Sequence, residues 1–289
     1  MIRKSSLVAG MKYKIVADSS ADVLSLTQVA FSNVPLHIVV GEQEFVDDEN
    51  VDLKKMQEAL TKHKGKTSTA CPGPEDWITS FGGAENVFCV TITSGLSGSH
   101  ASAQVAKQMY EETNPGKCVY IIDSLSAGPE ITLIVEKLQE MILAEEEPQE
   151  IYRKIIEYKK RTHLYFSLAS LDNLAKNGRV SPILAKGVGL LNIRIVGKAS
   201  DVGQLQSLDK CRGQKKGFQS IIKHMKEHEY ADGKIIISHN NNTSGAEELK
   251  QMIVEEFGKF RGYIHETRAL CSYYAEPGSL LIGFEANLK

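Results

Sequence analysis

Hydroxyl-bearing residues gather in three short stretches in the first half of the chain: Thr67-Ser68-Thr69-Ala70-Cys71-Pro72-Gly73-Pro74, Ser94-Gly95-Leu96-Ser97-Gly98-Ser99-His100 and Asp123-Ser124-Leu125-Ser126-Ala127-Gly128. In the second stretch, two glycines let the backbone approach a ligand closely and the hydroxyls supply donors. The start of the following helix adds unpaired N–H groups. Such a loop cradles an anion. One Ser/Gly loop before a helix usually does no more than cap it. Three at the same edge of one sheet suggest a site for a carboxylate or a phosphate.

Other chemistries are less well served. Gly95-Leu96-Ser97-Gly98-Ser99 approximates the G-x-S-x-G nucleophile elbow, but its fifth position is Ser99. A serine hydrolase or a kinase-like enzyme using the Ser97 loop is therefore the alternative reading. It lacks an evident base beside Ser97, because His100 continues into the helix. Gly187-Val188-Gly189 lacks the third glycine of a dinucleotide fingerprint, and no phosphate-binding P-loop is present. His224 and His228 are one helical turn apart, yet the charges around them describe a solvated face rather than a metal site. His239 reads as structural. No metal and no cofactor are expected.

Composition narrows the partners. The formal net charge of −2 gives no bulk attraction to nucleic acid or to anionic membranes. No apolar run is long enough to span a bilayer, so no integral membrane segment is expected. The apolar part of MIRKSSLVAG is too short for a secretion signal, and residues 1–10 read as a loose leader. Cys71, Cys89, Cys118, Cys211 and Cys271 are odd in number and widely spaced, which fits unpaired thiols in a reducing cytoplasm.

The elements that must hold these loops alternate. Strand patterns cover KYKIVAD (12–18), VPLHIVV (34–40), VFCVTIT (87–93) and CVYIID (118–123). Residues 52–63 carry helical spacing with Asp52 placed to cap it, and 151–161 form another helix. Continuous apolar strands between amphipathic helices specify a parallel sheet covered on both faces. The second half offers strands at 192–199, 203–211, 234–240, 262–268 and 280–285, with helices at 214–228 and 243–257. The first two strands, joined by Asp201-Val202-Gly203, make a hairpin and hence a mixed sheet. The fold class is α/β, with two domains: 11–165 holds a parallel sheet and the anion-binding loops, and 166–289 holds a mixed sheet.

Five segments, in order, resemble the bacterial DegV family: VADSSADV (16–23), TACPGPEDW (69–77), TITSGLSGSHASA (91–103), LDNLAKNGRVS (171–181) and AEPGSLLIGFE (275–285). The likeness runs from about residue 12 to 286. It implies a non-catalytic protein that holds one long-chain fatty acid in a buried pocket between its two domains. The carboxylate would be held by Thr69 and Ser97, with Ser94 and Gly95 completing the cradle. The family's head-group histidine aligns with Tyr274 and its usual loop serine with Ala70. A phenol can still donate to a carboxylate but brings no charge. The resemblance further implies a fatty acid kinase as partner, phosphorylating the bound carboxylate. Arg179 and Arg212 would dock that kinase from outside the pocket. The apolar stretch from Pro182 to Leu191 is the best candidate for the lining of such a pocket, and reads equally as plain core.

Overall fold

The computed structural model describes residues 11–186, 188 and 192–287. The expected leader at 1–10, together with Gly187, Gly189, Leu190 and Leu191, lies outside the described residues.

The first sheet is built from β1 (Tyr13–Asp18), β2 (Phe31–Val34), β6 (Asn86–Thr91) and β7 (Cys118–Asp123), all parallel, in the order β2-β1-β6-β7. Alternation explains why its strands read as unbroken apolar runs. Val16, Val87 and Cys89 face α2 (Pro74–Phe81) and α3 (Ser99–Thr113), whereas Ile15, Ala17, Phe88 and Val90 face α4 (Pro129–Leu143) and α5 (Pro148–Lys159). Both faces are covered, so neither can be polar. Pro74 and Pro129 begin α2 and α4, where a missing N–H costs nothing.

A small antiparallel sheet departs from the sequence expectation. The stretch 34–40 is not one strand. Pro35 cannot donate to a ladder, and the chain changes sheets there. β2 ends at Val34, and β3 (His37–Val40) pairs instead with β4 (Gln43–Val46) and β5 (Thr67–Ala70). Between β4 and β5 runs α1 (Leu53–Lys62), capped as expected: Lys55 N–H donates to Asp52 Oδ1 at 2.9 Å.

The second sheet is mixed, in the order β10-β9-β8-β13-β11-β12, from β8 (Thr162–Leu168), β9 (Ile193–Ala199), β10 (Leu205–Arg212), β11 (Lys234–His239), β12 (Arg261–Glu266) and β13 (Leu280–Glu285). Only β11 and β12 pair in parallel. The hairpin β9–β10 is present as the sequence specifies. β8 was not foreseen as a strand. It spans residues 165 and 166, where the expected division falls. α8 (Gln214–Glu227) and α9 (Thr243–Phe257) cover one face, packing Phe218, Ile221, Leu249 and Ile253 against Ile235, Ile237 and Ile282.

α4 lies between the two sheets, touching β1 and β6 on one side and β8, β11 and β13 on the other. Ten of its fifteen residues are buried. Its start is so close to β13 that a Cβ on Gly283 would meet the Pro129 carbonyl carbon at 2.5 Å. Two short helices, α6 (Asp172–Lys176) and α10 (Ala269–Ala275), pack against each other beside the seam, and α7 (Pro182–Ala185) lies outside them with no buried residue. No disulfide forms; all five cysteines are free. Among the described residues no helix is long and apolar enough to cross a membrane.

Candidate functional site

A cavity of about 90 Å³ lies in the seam between the sheets. That is several times the roughly 10–15 Å³ one buried water needs. Its walls are mostly leucine and other apolar side chains, among them Leu36, Ile92, Phe166, Leu174, Leu270 and Leu281. Ser20, Thr69, Ser97, Arg179 and Tyr274 also line it. An apolar hole with a few polar groups suits a molecule with a polar end and a greasy body.

Two of those polar residues hydrogen bond to each other, and two more stand beside them in the wall. The hydroxyls of Thr69, at the end of β5, and Tyr274, in α10, hydrogen bond at 2.8 Å. Arg179 donates from Nε to the carbonyl of Leu96 at 2.8 Å, which places the guanidinium beside Ser97. A second Arg179 donor meets the carbonyl of Asn177 at 2.6 Å. Burial pushes the Tyr274 phenol up, partly offset by the Thr69 hydrogen bond and the Arg179 charge, so it stays a neutral donor at ordinary pH. Its ring also packs edge-on against Tyr273, centroids 4.8 Å apart. Arg179 is half-buried and forms no ion pair with any described residue. A cation held in an apolar wall without a counter-charge favours an anion beside it.

Asp18 fixes the Ser97 loop from below. Its fully buried carboxylate accepts Ile92 N–H at 2.8 Å, the Ser99 hydroxyl at 2.7 Å and Ser20 N–H at 3.3 Å, and it takes the Ser20 hydroxyl as well. These donors favour its charged form, but burial outweighs them and raises its pKa. The sequence reading gave Asp18 and Ser20 no role. They sit at the carboxyl end of β1, where the rule that singled out the loop after β6 applies equally.

Several expectations are corrected. Ser94 and Gly95 are exposed and do not line the cavity. Their N–H groups are already used, Ser94 donating to Asp123 Oδ1 at 3.1 Å and Gly95 to Thr93 Oγ1 at 3.0 Å. Arg179 was expected outside the pocket but is part of its wall. Arg212 is exposed on β10. In the third loop the hydroxyls turn inward, Ser126 donating to Glu130 at 2.5 Å and Ser124 to the Ser126 carbonyl at 3.0 Å. That loop gives the cavity only Ala127. Ile183 of the expected lining is 83% exposed, while Leu184, Ala185 and Val188 pack on the outside of the leucine cluster around the cavity.

The elbow-like serine has no histidine to activate it. Ser97 Oγ accepts Ser99 N–H at 3.2 Å, while His100 hydrogen bonds Thr91 at 3.2 Å and Gln104 at 3.4 Å. His224 is held by Asp209 and Glu227, both at 2.7 Å, and His228 packs on His163. Among the described residues no three His, Cys, Asp or Glu side chains gather as a metal site.

Fold and site together define an α/β protein whose two sheets enclose an apolar cavity with a polar cluster in its wall. The chain belongs to the DegV family: its residues 12–287 match the family model described as an uncharacterised protein family, DegV. It is 44% identical over 279 residues to a DegV domain-containing protein of Streptococcus pneumoniae, covering 95% of this chain and 99% of that one. Among solved structures it is similar to the Streptococcus pneumoniae Fatty Acid Kinase (Fak) B3 protein loaded with linoleic acid (TM-score 0.93, 44% identity, 96% of this chain and 100% of that one). A DegV family protein from Eubacterium eligens loaded with heptadecanoic acid is similar too (TM-score 0.93, 39% identity, 95% and 100% covered).

Proposed function

We propose that this protein binds a single long-chain fatty acid in the cavity and presents its carboxylate to a fatty acid kinase for acyl-phosphate formation. The observation that carries the reading is the unpaired Arg179 cation set with Thr69, Ser97 and Tyr274 in an otherwise apolar enclosure. The relatives loaded with linoleic and heptadecanoic acid support it. Two α/β units, 11–165 and 166–289, meet at this cavity on this reading, and Arg212 stands outside as the residue for docking the kinase.

The energetics suit a carrier. A saturated sixteen-carbon acid buries about 14 methylenes at roughly 0.8 kcal/mol each, about 11 kcal/mol gross. Charge-assisted hydrogen bonds add roughly 1.5–3 kcal/mol each before desolvation. The tail supplies most of the affinity, and the polar cluster fixes which end points where. Mass spectrometry of a solvent extract of the purified protein tests this: a stoichiometric long-chain acid is expected. Protein that neither retains such an acid nor takes one up on incubation would overturn the reading. The hydrolase alternative predicts turnover of an activated ester that disappears in Ser97→Ala.

A further inference from the structure

Arg179 reaches the cavity from the end of α6, and the groups that hold that helix end lie outside the cavity. α6 closes on a left-handed glycine. Gly178 has a φ of +70°, its N–H donates to the Ala175 carbonyl at 3.0 Å, and Arg179 N–H donates to the Leu174 carbonyl at 2.8 Å. This pair of bonds satisfies the last carbonyls of the helix and turns the chain back, with Arg179 the first residue beyond the glycine. The backbone of Arg179 is thereby fixed relative to α6. A helix of five residues, however, does not hold its own place.

What holds α6 is α10, largely through Tyr273. Asn173 donates from Nδ2 to the Tyr273 carbonyl at 2.9 Å and from its N–H to Glu276 Oε1 at 2.9 Å. Asn177, which caps the carboxyl end of α6, donates from Nδ2 to the Tyr273 hydroxyl at 2.8 Å and to the Asn173 carbonyl at 2.8 Å. The Tyr273 hydroxyl also shares a hydrogen bond of 2.7 Å with Thr67 of β5. The Asn177 carbonyl in turn accepts Arg179 Nη1 at 2.6 Å. An unbroken run of polar contacts thus leads from Thr67 through Tyr273 and Asn177 to the guanidinium. Neighbouring side chains on a helix point about 100° apart. Tyr274 therefore lines the cavity, while Tyr273 is fully buried outside it, packed with Ile38, Phe45 and Met56.

We propose that Tyr273 is the positioning residue for Arg179: held by Thr67, its hydroxyl fixes Asn177, whose carbonyl aims the guanidinium into the cavity. The inference rests on the fatty-acid reading above and names what orients the charge at the head-group end. An arginine loses much rotamer freedom when held in one geometry, and a half-buried one turns its head toward water where it can. Two carbonyls oppose that here, those of Leu96 and Asn177. The second is only as well placed as Asn177 itself. Adjacent tyrosines of α10 therefore serve the same head group, Tyr274 directly and Tyr273 through the arginine.

The test uses delipidated full-length Tyr273→Phe and Asn177→Ala, with palmitate and hexadecanol each displacing a fluorescent fatty acid. Tyr273→Phe keeps the buried ring and removes only the hydroxyl. Asn177→Ala removes the amide that grips that hydroxyl, and keeps the test alive if the tyrosine variant does not fold. Each should weaken palmitate about 3- to 10-fold more than hexadecanol, as when one member of a hydrogen-bonded network is deleted. In an Arg179→Met background the same substitutions should leave the acid-to-alcohol ratio of Kd unchanged, because the group they act through is gone. Equal effects on acid and alcohol, or none on either, would overturn the role of Tyr273 and leave the carrier reading standing. A ratio that still shifts without the arginine would overturn it too, by showing that the tyrosine acts through another group. Wild type that binds neither ligand would overturn the carrier reading itself, and this inference with it.

Discussion

Arg179→Met separates recognition of a charged head group from general binding of an apolar chain. Methionine keeps an unbranched stem of similar reach and removes the guanidinium. In the structure that group lines the cavity, holds the Leu96 carbonyl at 2.8 Å and has no carboxylate to pair with among the described residues. A charge-assisted hydrogen bond to a ligand carboxylate contributes roughly 1.5–3 kcal/mol, which is about 10- to 150-fold in Kd at about 1.4 kcal/mol per decade. The informative comparison is between palmitate and hexadecanol, which share a tail and differ in charge. Displacement of a fluorescent fatty acid from both proteins gives the four dissociation constants. The variant should lose about 10-fold or more for the acid and far less for the alcohol. Losing the Leu96 contact shifts the Ser97 loop for both ligands and cancels from the ratio. Equal weakening of acid and alcohol would refute the reasoning and leave Arg179 as a packing residue.

Other substitutions probe the same frame. Thr69→Ala and Ser97→Ala should each raise the Kd for palmitate by about 10-fold or more, a hydroxyl donating to a carboxylate contributing roughly 1.5–3 kcal/mol. Lipid should still copurify, because the tail remains buried, and extraction of each variant checks it. Gly203→Ala should cost about 1–3 kcal/mol in a thermal melt. Gly203 has a φ of +71°, its carbonyl accepts the Thr93 hydroxyl at 2.9 Å, and an added Cβ would lie 1.9 Å from Thr93 Oγ1. Stability should also depend on pH through Asp22 and His163, in opposite senses. Burial and the neighbouring Asp47 carboxylate push Asp22 from 3.8 up to about 8. The folded state therefore holds a proton the unfolded chain releases, and this contribution declines as pH rises from about 4 to 8. Burial and the charge of His228 push His163 from 6.5 down to about 4, so its contribution grows as pH rises through that range. Melts of wild type and Asp22→Asn from pH 5 to 8 should show the variant losing less stability toward pH 8; an identical slope would remove Asp22 from the account.

Local rules made much of the architecture legible. Asp52 caps its helix because its side chain can reach the N–H three residues on. β6 and β7 read as buried strands because helices cover both their faces. Where the rules failed, a longer-range contact decided. Residues 67–70, all Thr, Ser and Ala after an initial threonine, carry no apolar run, so β5 read as loop. It becomes a strand through its partner β3. The apolar run from Val34 to Val40 hides a change of sheet at Pro35. β8 fell where the domain division was expected, and its pairing with β13 joins residues more than a hundred apart in sequence.

The polar cluster and the apolar wall differ in legibility for the same reason. Thr69 and Ser97 stand out because hydroxyls at strand ends have few other reasons to cluster. Tyr274 came only from the resemblance, since a tyrosine beside a tyrosine is unremarkable in a helix. The backbone path brings Ser94 and Gly95 near the site yet commits their N–H groups to Asp123 and Thr93. Arg179 illustrates the limit: its sequence neighbours Asn177, Gly178 and Ser181 describe a surface turn. The turn nevertheless folds back until its guanidinium meets the Leu96 carbonyl, eighty-three residues earlier in the chain. Leu36, Ile92, Phe166, Leu270 and Leu281 each satisfy the ordinary pattern of a core residue. What makes them a cavity wall is the gap left where α4 and α10 hold two twisted sheets apart. That spacing depends on side-chain volumes summed across the seam, and no single stretch of sequence contains it.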